Sequence, residues 1–203
     1  AGSEHLTGRL SFTDSRNDGI TPNHSIDRQY YDLNTEFKNR WFTVGAKINF
    51  MREKRKNSPA QGEYGLMTQM IYLPRGIRMA DLRDNLVNAN YRVINWSGPS
   101  DLYSNPYGII MDENGNKNVR NRLIGQLRAS IRFTDYLTLT GRVGMDYYTN
   151  NYKKSTLYLP DGSNITGQYS TSRNSNQEFN ADAILNFNHT LGRFQPKESS
   201  RNF

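Results

Sequence analysis

The sequence predicts an all-β fold, an antiparallel up-and-down meander, on three observations. Apolar and polar residues alternate with a period of two in six segments of roughly ten residues, as they do on the two faces of a strand. The connections between successive segments alternate between long and short. Aromatic residues, which favour strands, make up 12% of the chain and cluster at both ends of the segments.

The first three segments lie in the N-terminal part of the chain, and each has one face of apolar, small or uncharged residues. These residues are Leu6, Gly8, Leu10 and Phe12 in the first segment, Tyr31, Leu33, Thr35 and Phe37 in the second, and Phe42, Val44, Ala46, Ile48 and Phe50 in the third. The polar stretch at residues 14–27 predicts a loop between the first two segments. Residues 38–40 predict a tight turn between the second and the third.

A long loop at about residues 54–118 is predicted to separate these segments from the other three. The same kind of face recurs after it, with Leu123, Gly125, Leu127, Ala129, Ile131 and Phe133 in the fourth segment, Leu137, Leu139, Gly141, Val143 and Met145 in the fifth, and Phe179, Ala181, Ala183, Leu185 and Phe187 in the sixth. Residues 134–136 predict a second tight turn, and a loop containing Pro160 joins the last two segments.

No charged residue lies on the apolar face of any segment, and all tight turns fall at one end. This pattern is typical of transmembrane β-barrels, which have short periplasmic turns and long extracellular loops. Aromatic residues would form a ring at each membrane interface. The expected rings are Phe37, Trp41, Phe42, Phe133 and Tyr136 beside the tight turns, and Phe12, Tyr30, Phe50, Tyr147 and Tyr148 at the opposite strand ends. The alternative is a soluble β-sandwich that binds a ligand such as carbohydrate, with the apolar faces packed in a core.

Composition and motifs argue against catalysis and metal binding. The chain has 203 residues, no Cys, and three His without the spacing of metal ligands. It contains no phosphate-binding loop, dinucleotide motif or nucleophile elbow, so we expect no enzyme activity and no cofactor. The net charge of +7 raises nucleic-acid binding as a third hypothesis. The basic residues are scattered, with one dense run at residues 52–56, so we expect no nucleic-acid partner.

The long loop contains the candidate ligand-binding residues. Exposed aromatic side chains beside Asn and Asp can stack on a glycan or peptide and hydrogen-bond to it. The candidates are Trp96, Tyr103 and Tyr107. On the polar strand faces, charged residues would point into the barrel lumen and pair with one another or with a plug. These are Arg122, Arg128, Arg132, Arg142, Asp146, Glu178 and Asp182.

Several motifs resemble one family of outer-membrane proteins. The chain has Asn-Pro-Tyr at 105–107, Phe-Thr-Asp-Tyr-Leu at 133–137 and Gly-Arg-Val-Gly at 141–144. It also has Gly-Ile-Thr-Pro-Asn at 19–23 and Tyr-Leu-Pro-Arg at 72–75. Taken together, and in their order along the chain, these motifs resemble the SusC/RagA-type TonB-linked outer-membrane receptors of Bacteroidetes, over about residues 4 to 192.

The resemblance implies a place in the Gram-negative outer membrane and the import of glycans or peptides with energy from TonB. Its implied partners are membrane lipid, the remainder of the receptor barrel and its plug, a SusD-like surface lipoprotein, and TonB. Residues 1–192 would form part of the barrel, and residues 193–203 a disordered tail. Closed membrane barrels have at least about eight strands, so we expect a fragment or one part of an assembly. The alternative is a small eight-stranded barrel, closed by extra strands at 65–73 and 154–159.

Overall fold

The computed structural model describes residues 3–59, 61–62, 65–86, 94–96, 104–111, 115–156 and 167–189. In these residues six strands form one antiparallel sheet, and each strand pairs with the next one along the chain. The strands are β1 (Leu6–Asp18), β2 (Ser25–Lys38), β3 (Phe42–Lys56), β4 (Asn116–Thr134), β5 (Leu137–Thr156) and β6 (Gln168–Phe187). The predicted all-β, up-and-down meander is confirmed, with β1 and β6 at the two edges of the sheet.

Strand register places all six predicted apolar faces on the same side of the sheet. Leu10 lies opposite Leu33, and Leu33 lies opposite Ile48. The match continues across the sheet, with Ala46 opposite Leu127 and, further on, Leu139 opposite Leu185. A slip of one residue in any pair would move a strand's apolar residues to the other side. We call this side the apolar face and the opposite, predominantly polar side the polar face.

The strands are longer than the sequence pattern predicts. Residues 14–27 were predicted to be a loop, but β1 continues to Asp18 and β2 begins at Ser25, which leaves only residues 19–24 as the connection. Ladder pairs such as Asn17 with Ile26 hold this extension together. The prediction was wrong because Ile26 is the one apolar residue of the extension, so neither side of it shows an apolar alternation. Hydrophobic alternation marks only the part of a strand that has an apolar face.

In its described residues, the long connection between β3 and β4 contains three short helices, α1 (Leu66–Tyr72), α2 (Met79–Asp84) and α3 (Pro106–Ile110). The alternative strand at 65–73 was therefore wrong. Leu, Met and Gln favour a helix there, and Pro74 follows soon after its end. The other alternative strand, 154–159, is β5 as far as Thr156, and its remainder lies outside the described residues, as does the tail at 193–203.

The described residues contain almost no buried hydrophobic core. Leu82, in α2, is the one buried hydrophobic residue among them. On the apolar face, by contrast, Leu10, Leu127 and Leu185 expose 77%, 57% and 63% of their surface. Soluble monomers rarely leave so large a continuous apolar surface uncovered. None of the described helices has the length and hydrophobicity that would let it cross a membrane.

Candidate functional site

One aromatic row crosses the apolar face near the end with the longer connections. Phe12, Tyr31 and Phe50 lie side by side on β1, β2 and β3, and Tyr147 continues the row on β5 beyond Leu123. The ring centroids of Phe12 and Tyr31 are 4.9 Å apart, and those of Tyr31 and Phe50 are 6.0 Å apart. We call these four residues the upper aromatic row.

The predicted ring at this end was wrong in two of its members. Tyr30 pairs with Thr13 and Tyr148 pairs with Arg122, which places both tyrosines on the polar face. Tyr31, which the prediction placed on the apolar face without assigning it to the ring, takes its place in the row. Adjacent tyrosines in a strand point to opposite sides, so only one of each pair can face the same way as Phe12.

A second aromatic cluster lies beside the tight turns. The rings of Phe37 and Phe42 are 5.5 Å apart, and those of Tyr136 and Phe187 are 5.7 Å apart. The Arg40 guanidinium lies 5.1 Å from the centre of the Trp41 ring. A rise of roughly 3.3 Å per residue puts Phe42 and Phe50 about 26 Å apart along β3. A strand tilt of about 45° reduces this to about 18 Å of height, which fits within the apolar band of about 25 Å that a membrane barrel has.

The polar face holds charge pairs between neighbouring strands. Arg122 Nε donates to Asp146 Oδ1 at 3.0 Å, and a second nitrogen of the same guanidinium donates to Oδ2. Arg142 Nε donates to Asp182 Oδ1 at 2.9 Å. The sequence prediction that these four residues pair is confirmed. Arg128, Arg132 and Glu178 share the polar face with them.

A buried carboxylate lies on the same face, nearer the end of the sheet that has the longer connections. Glu53 exposes 6% of its side chain and contacts two guanidinium groups. Arg28 Nε donates to Glu53 Oε2 at 2.6 Å, and Arg55 Nε lies 2.8 Å from Glu53 Oε1. The two arginines compensate for the desolvation of the carboxylate. Sequence reasoning missed this cluster because it read residues 52–56 only as a run of charge.

The helical insertion is organised around Asn105, which is 1% exposed. Its side-chain amide donates to Leu82 O at 2.9 Å, and its backbone N–H donates to Asn95 Oδ1 at 3.2 Å. Its side-chain oxygen also accepts from Tyr107 N at 3.0 Å, which caps the first turn of α3. Gln69, fully buried, accepts from the backbone N–H of Ser104 at 3.0 Å. In the described part of the insertion, polar side chains therefore share the interior with Leu82 and Pro106.

The insertion is attached to the sheet at two places. At its neck, Asn116 exchanges hydrogen bonds with the Ser58 backbone, at 3.1 Å and 3.0 Å. Further out, Asn23 Nδ2, in the connection between β1 and β2, donates to Ile110 O at 3.0 Å. Asn23 has a φ of 62°, a left-handed conformation that asparagine tolerates better than most residues. The insertion therefore stands at the end of the sheet that has the longer connections.

Two of the three candidate ligand-binding residues lie within the described part of the chain. Trp96 and Tyr107 are both half-buried, and each lies close in sequence to a member of the Asn95–Asn105 hydrogen bond. Tyr103 lies outside the described residues. In α2, the hydrogen bond to Asp84 and the charge of that carboxylate raise the pKa of Arg83 above its ordinary value. The Asn95–Asn105 hydrogen bond therefore brings together the two segments that carry Trp96 and Tyr107.

The sequence contains a signal for the structural role of Asn105, although the residue was not predicted as part of the site. Asn followed by Pro at the first helical position is a common start of a helix, because the Asn side chain caps the free N–H groups. In α2, Arg78 hydrogen-bonds to Asp81 at 2.7 Å and lowers the pKa of that carboxyl below its ordinary value. Within the described ranges, no group of three or more His, Cys, Asp or Glu side chains is arranged to hold a metal ion.

No protein-family model matches the chain. No curated protein matches it either.

Proposed function

We propose that the chain is a segment of a TonB-dependent outer-membrane receptor of the SusC/RagA type, which imports glycans or peptides. The observation that carries the proposal is the single apolar face that runs unbroken across six strands between two aromatic clusters. Lipid is the solvent that would cover such a face, and Tyr and Trp at its borders suit the two interfaces. The chain's own role is to form barrel wall and extracellular loops.

The apolar face and the polar face have different roles in a barrel wall. The apolar face contacts lipid tails, and the polar face lines a water-filled lumen beside the path of the substrate. Pairs such as Arg122–Asp146 keep charges matched along that lumen. The polar face holds no arrangement that we assign to catalysis, and energy for transport enters elsewhere in the receptor.

The open edges at β1 and β6 require further strands. Every residue of β6 is exposed, and so are most residues of β1. An unpaired edge leaves backbone N–H and C=O groups without partners, which lipid does not tolerate. We propose that the remainder of the receptor barrel pairs with both edges. The helical insertion then faces the cell exterior, where Trp96 and Tyr107 contact the glycan or peptide.

Size-exclusion chromatography with light scattering, in the presence and absence of a mild detergent, tests the proposal. Far-UV circular dichroism of the same samples measures the β structure. We expect β structure and a defined mass only in detergent, and aggregation without detergent. A compact, β-rich monomer in plain buffer would contradict the proposal. In that case the apolar faces would be buried in a protein core, as in a β-sandwich.

A further inference from the structure

Positive charge accumulates on the polar face at the end of the sheet that has the longer connections. We call the part of this face that lies beyond the level of Asp146, toward that end, the upper polar face. Within the described strands, Glu53 is the one carboxylate of the upper polar face. Its arginines are Arg28, Arg55, Arg120 and Arg122. This part of the face therefore carries an excess of positive charge.

Glu53 does not neutralise Arg120, although the two residues lie directly opposite each other on β3 and β4. Its oxygens are held by two other guanidinium groups, Oε2 by Arg28 at 2.6 Å and Oε1 by Arg55 at 2.8 Å. Glu53 and these two arginines together keep one net positive charge, so the cluster does not offset the charge of Arg120. Within the described residues, no carboxylate oxygen lies within 4.0 Å of a nitrogen of Arg120.

Arg120 is exposed and lies over an aromatic ring. Its guanidinium carbon is 5.5 Å from the centre of the Tyr148 ring, on β5. The contact restricts the orientation of the guanidinium and leaves its N–H groups free to donate. A planar guanidinium held in this way is suited to bind a carboxylate through two parallel hydrogen bonds.

Two asparagine side chains beside Arg120 have oxygens without partners. Asn150 lies directly opposite Arg120, and Asn118 precedes Arg120 on the same side of β4. Among the described residues, the side-chain oxygens of Asn118 and Asn150 are shielded from solvent and accept no hydrogen bond. A shielded acceptor without a donor is unfavourable. A ligand whose hydroxyl groups donate to these amides, once the amides rotate toward it, would relieve this cost.

We propose that Arg120, Asn118 and Asn150 form a subsite for the uronic-acid units of an acidic glycan. The inference rests on the proposed function, in which this face lines the lumen beside the path of the substrate. Arg120, positioned by Tyr148, binds the sugar carboxylate, and the two amides accept from sugar hydroxyls. Tyr152, directly opposite Asn118, offers an aromatic ring to the C–H face of the sugar. An acidic peptide would supply the carboxylate but not the row of hydroxyl donors.

Isothermal titration calorimetry of the full chain in dodecyl maltoside tests the inference. The probe is trigalacturonic acid, and the reference is its methyl ester, which has the same ring hydroxyls and no charge. We expect Arg120→Gln to weaken binding of the acid by about tenfold or more, because a charge-assisted pair is lost, and to leave binding of the ester unchanged. Arg120→Lys keeps the charge without the planar fork and should retain a weaker preference for the acid.

The matched control is Arg128→Gln. It removes an exposed arginine from the same strand and the same face, below the upper polar face, and should change binding of neither compound. If Arg128→Gln weakens binding of the acid as much as Arg120→Gln does, the effect is one of overall charge and the inference fails. The inference also fails if the unaltered chain does not prefer the acid to its ester.

The remaining results separate this inference from the proposed function. If the chain takes up no detergent and is a monomer without it, the proposed function fails. If the chain is inserted in detergent but binds a triglutamate peptide as tightly as trigalacturonic acid, only the glycan inference fails, because the site then selects charge alone. If Arg120→Gln does not fold, Asn150→Ala decides the question. That variant should weaken binding of both the acid and the ester by about threefold or more, and an unchanged affinity would overturn the inference.

Discussion

At the residue scale, a few buried polar side chains stabilise the insertion, a role that apolar side chains have in most domains. Asn105 makes three hydrogen bonds, to Leu82 O, Asn95 Oδ1 and Tyr107 N, while almost completely buried. A buried amide that loses its partners leaves several groups unsatisfied, at a cost of about 1–3 kcal/mol each. The folding of the insertion therefore depends on this side chain.

We predict that Asn105→Ala destabilises the insertion without unfolding the sheet. The expected loss is about 2–4 kcal/mol of local stability, because the cap on α3 and the bond to Leu82 O both disappear. Amide hydrogen exchange at residues 107–110 should accelerate by at least tenfold while exchange in β4 stays the same.

Asn105→Ser serves as the control for this prediction. Its hydroxyl can still cap the helix by accepting from Tyr107 N but is too short to replace the amide donor to Leu82 O, so an intermediate effect is expected. Equal exchange in Asn105→Ala and the unaltered chain would contradict the assigned role of Asn105.

At the element scale, register decides which aromatic residues meet. The sequence could predict the six apolar faces, because alternation reports which side each residue takes in a strand. It could not report how far the polar ends of β1 and β2 extend, since residues 14–18 and 25–27 have no apolar face to mark them. The alternation had already placed Tyr31 on the apolar face and therefore Tyr30 on the other side; the predicted ring was wrong because it was assigned by position along the chain alone.

The insertion was harder to predict than the sheet. Its interior is held by Gln69, Asn95 and Asn105, which the sequence alone cannot distinguish from exposed polar residues. Only the Asn-Pro pair at 105–106 marked a helix start. Trp96 and Tyr107 were predicted as ligand contacts; their segments are joined by the Asn95–Asn105 hydrogen bond, and their contact with a ligand stays a prediction.

We predict that Tyr31→Ala destabilises the sheet in lipid by about 2 kcal/mol, since Tyr31 contacts both Phe12 and Phe50. Reversible urea unfolding in phosphatidylcholine vesicles measures this change. Tyr30→Ala, on the polar face, is the matched control and should cost clearly less. An equal loss in both variants would show that the row contributes nothing specific.

At the scale of the whole molecule, two opposite surfaces and one insertion account for the architecture. The apolar face is continuous, the polar face has paired charges, and the insertion stands at the end with the longer connections. A barrel wall requires this arrangement, because lipid, water and the cell exterior each meet a different part of it. The open edges at β1 and β6 mark where further strands would join.

Spin labels on neighbouring residues test the central claim, that lipid covers the apolar face. The chain has no cysteine, so Leu33→Cys and Asn34→Cys each provide one site for a nitroxide, on opposite sides of β2. In phosphatidylcholine vesicles we predict that the label at 33 collides mainly with oxygen, which concentrates in lipid. The label at 34 should collide mainly with a water-soluble nickel chelate. Equal accessibility to the two reagents at both sites, or a water-exposed label at 33, would contradict the account.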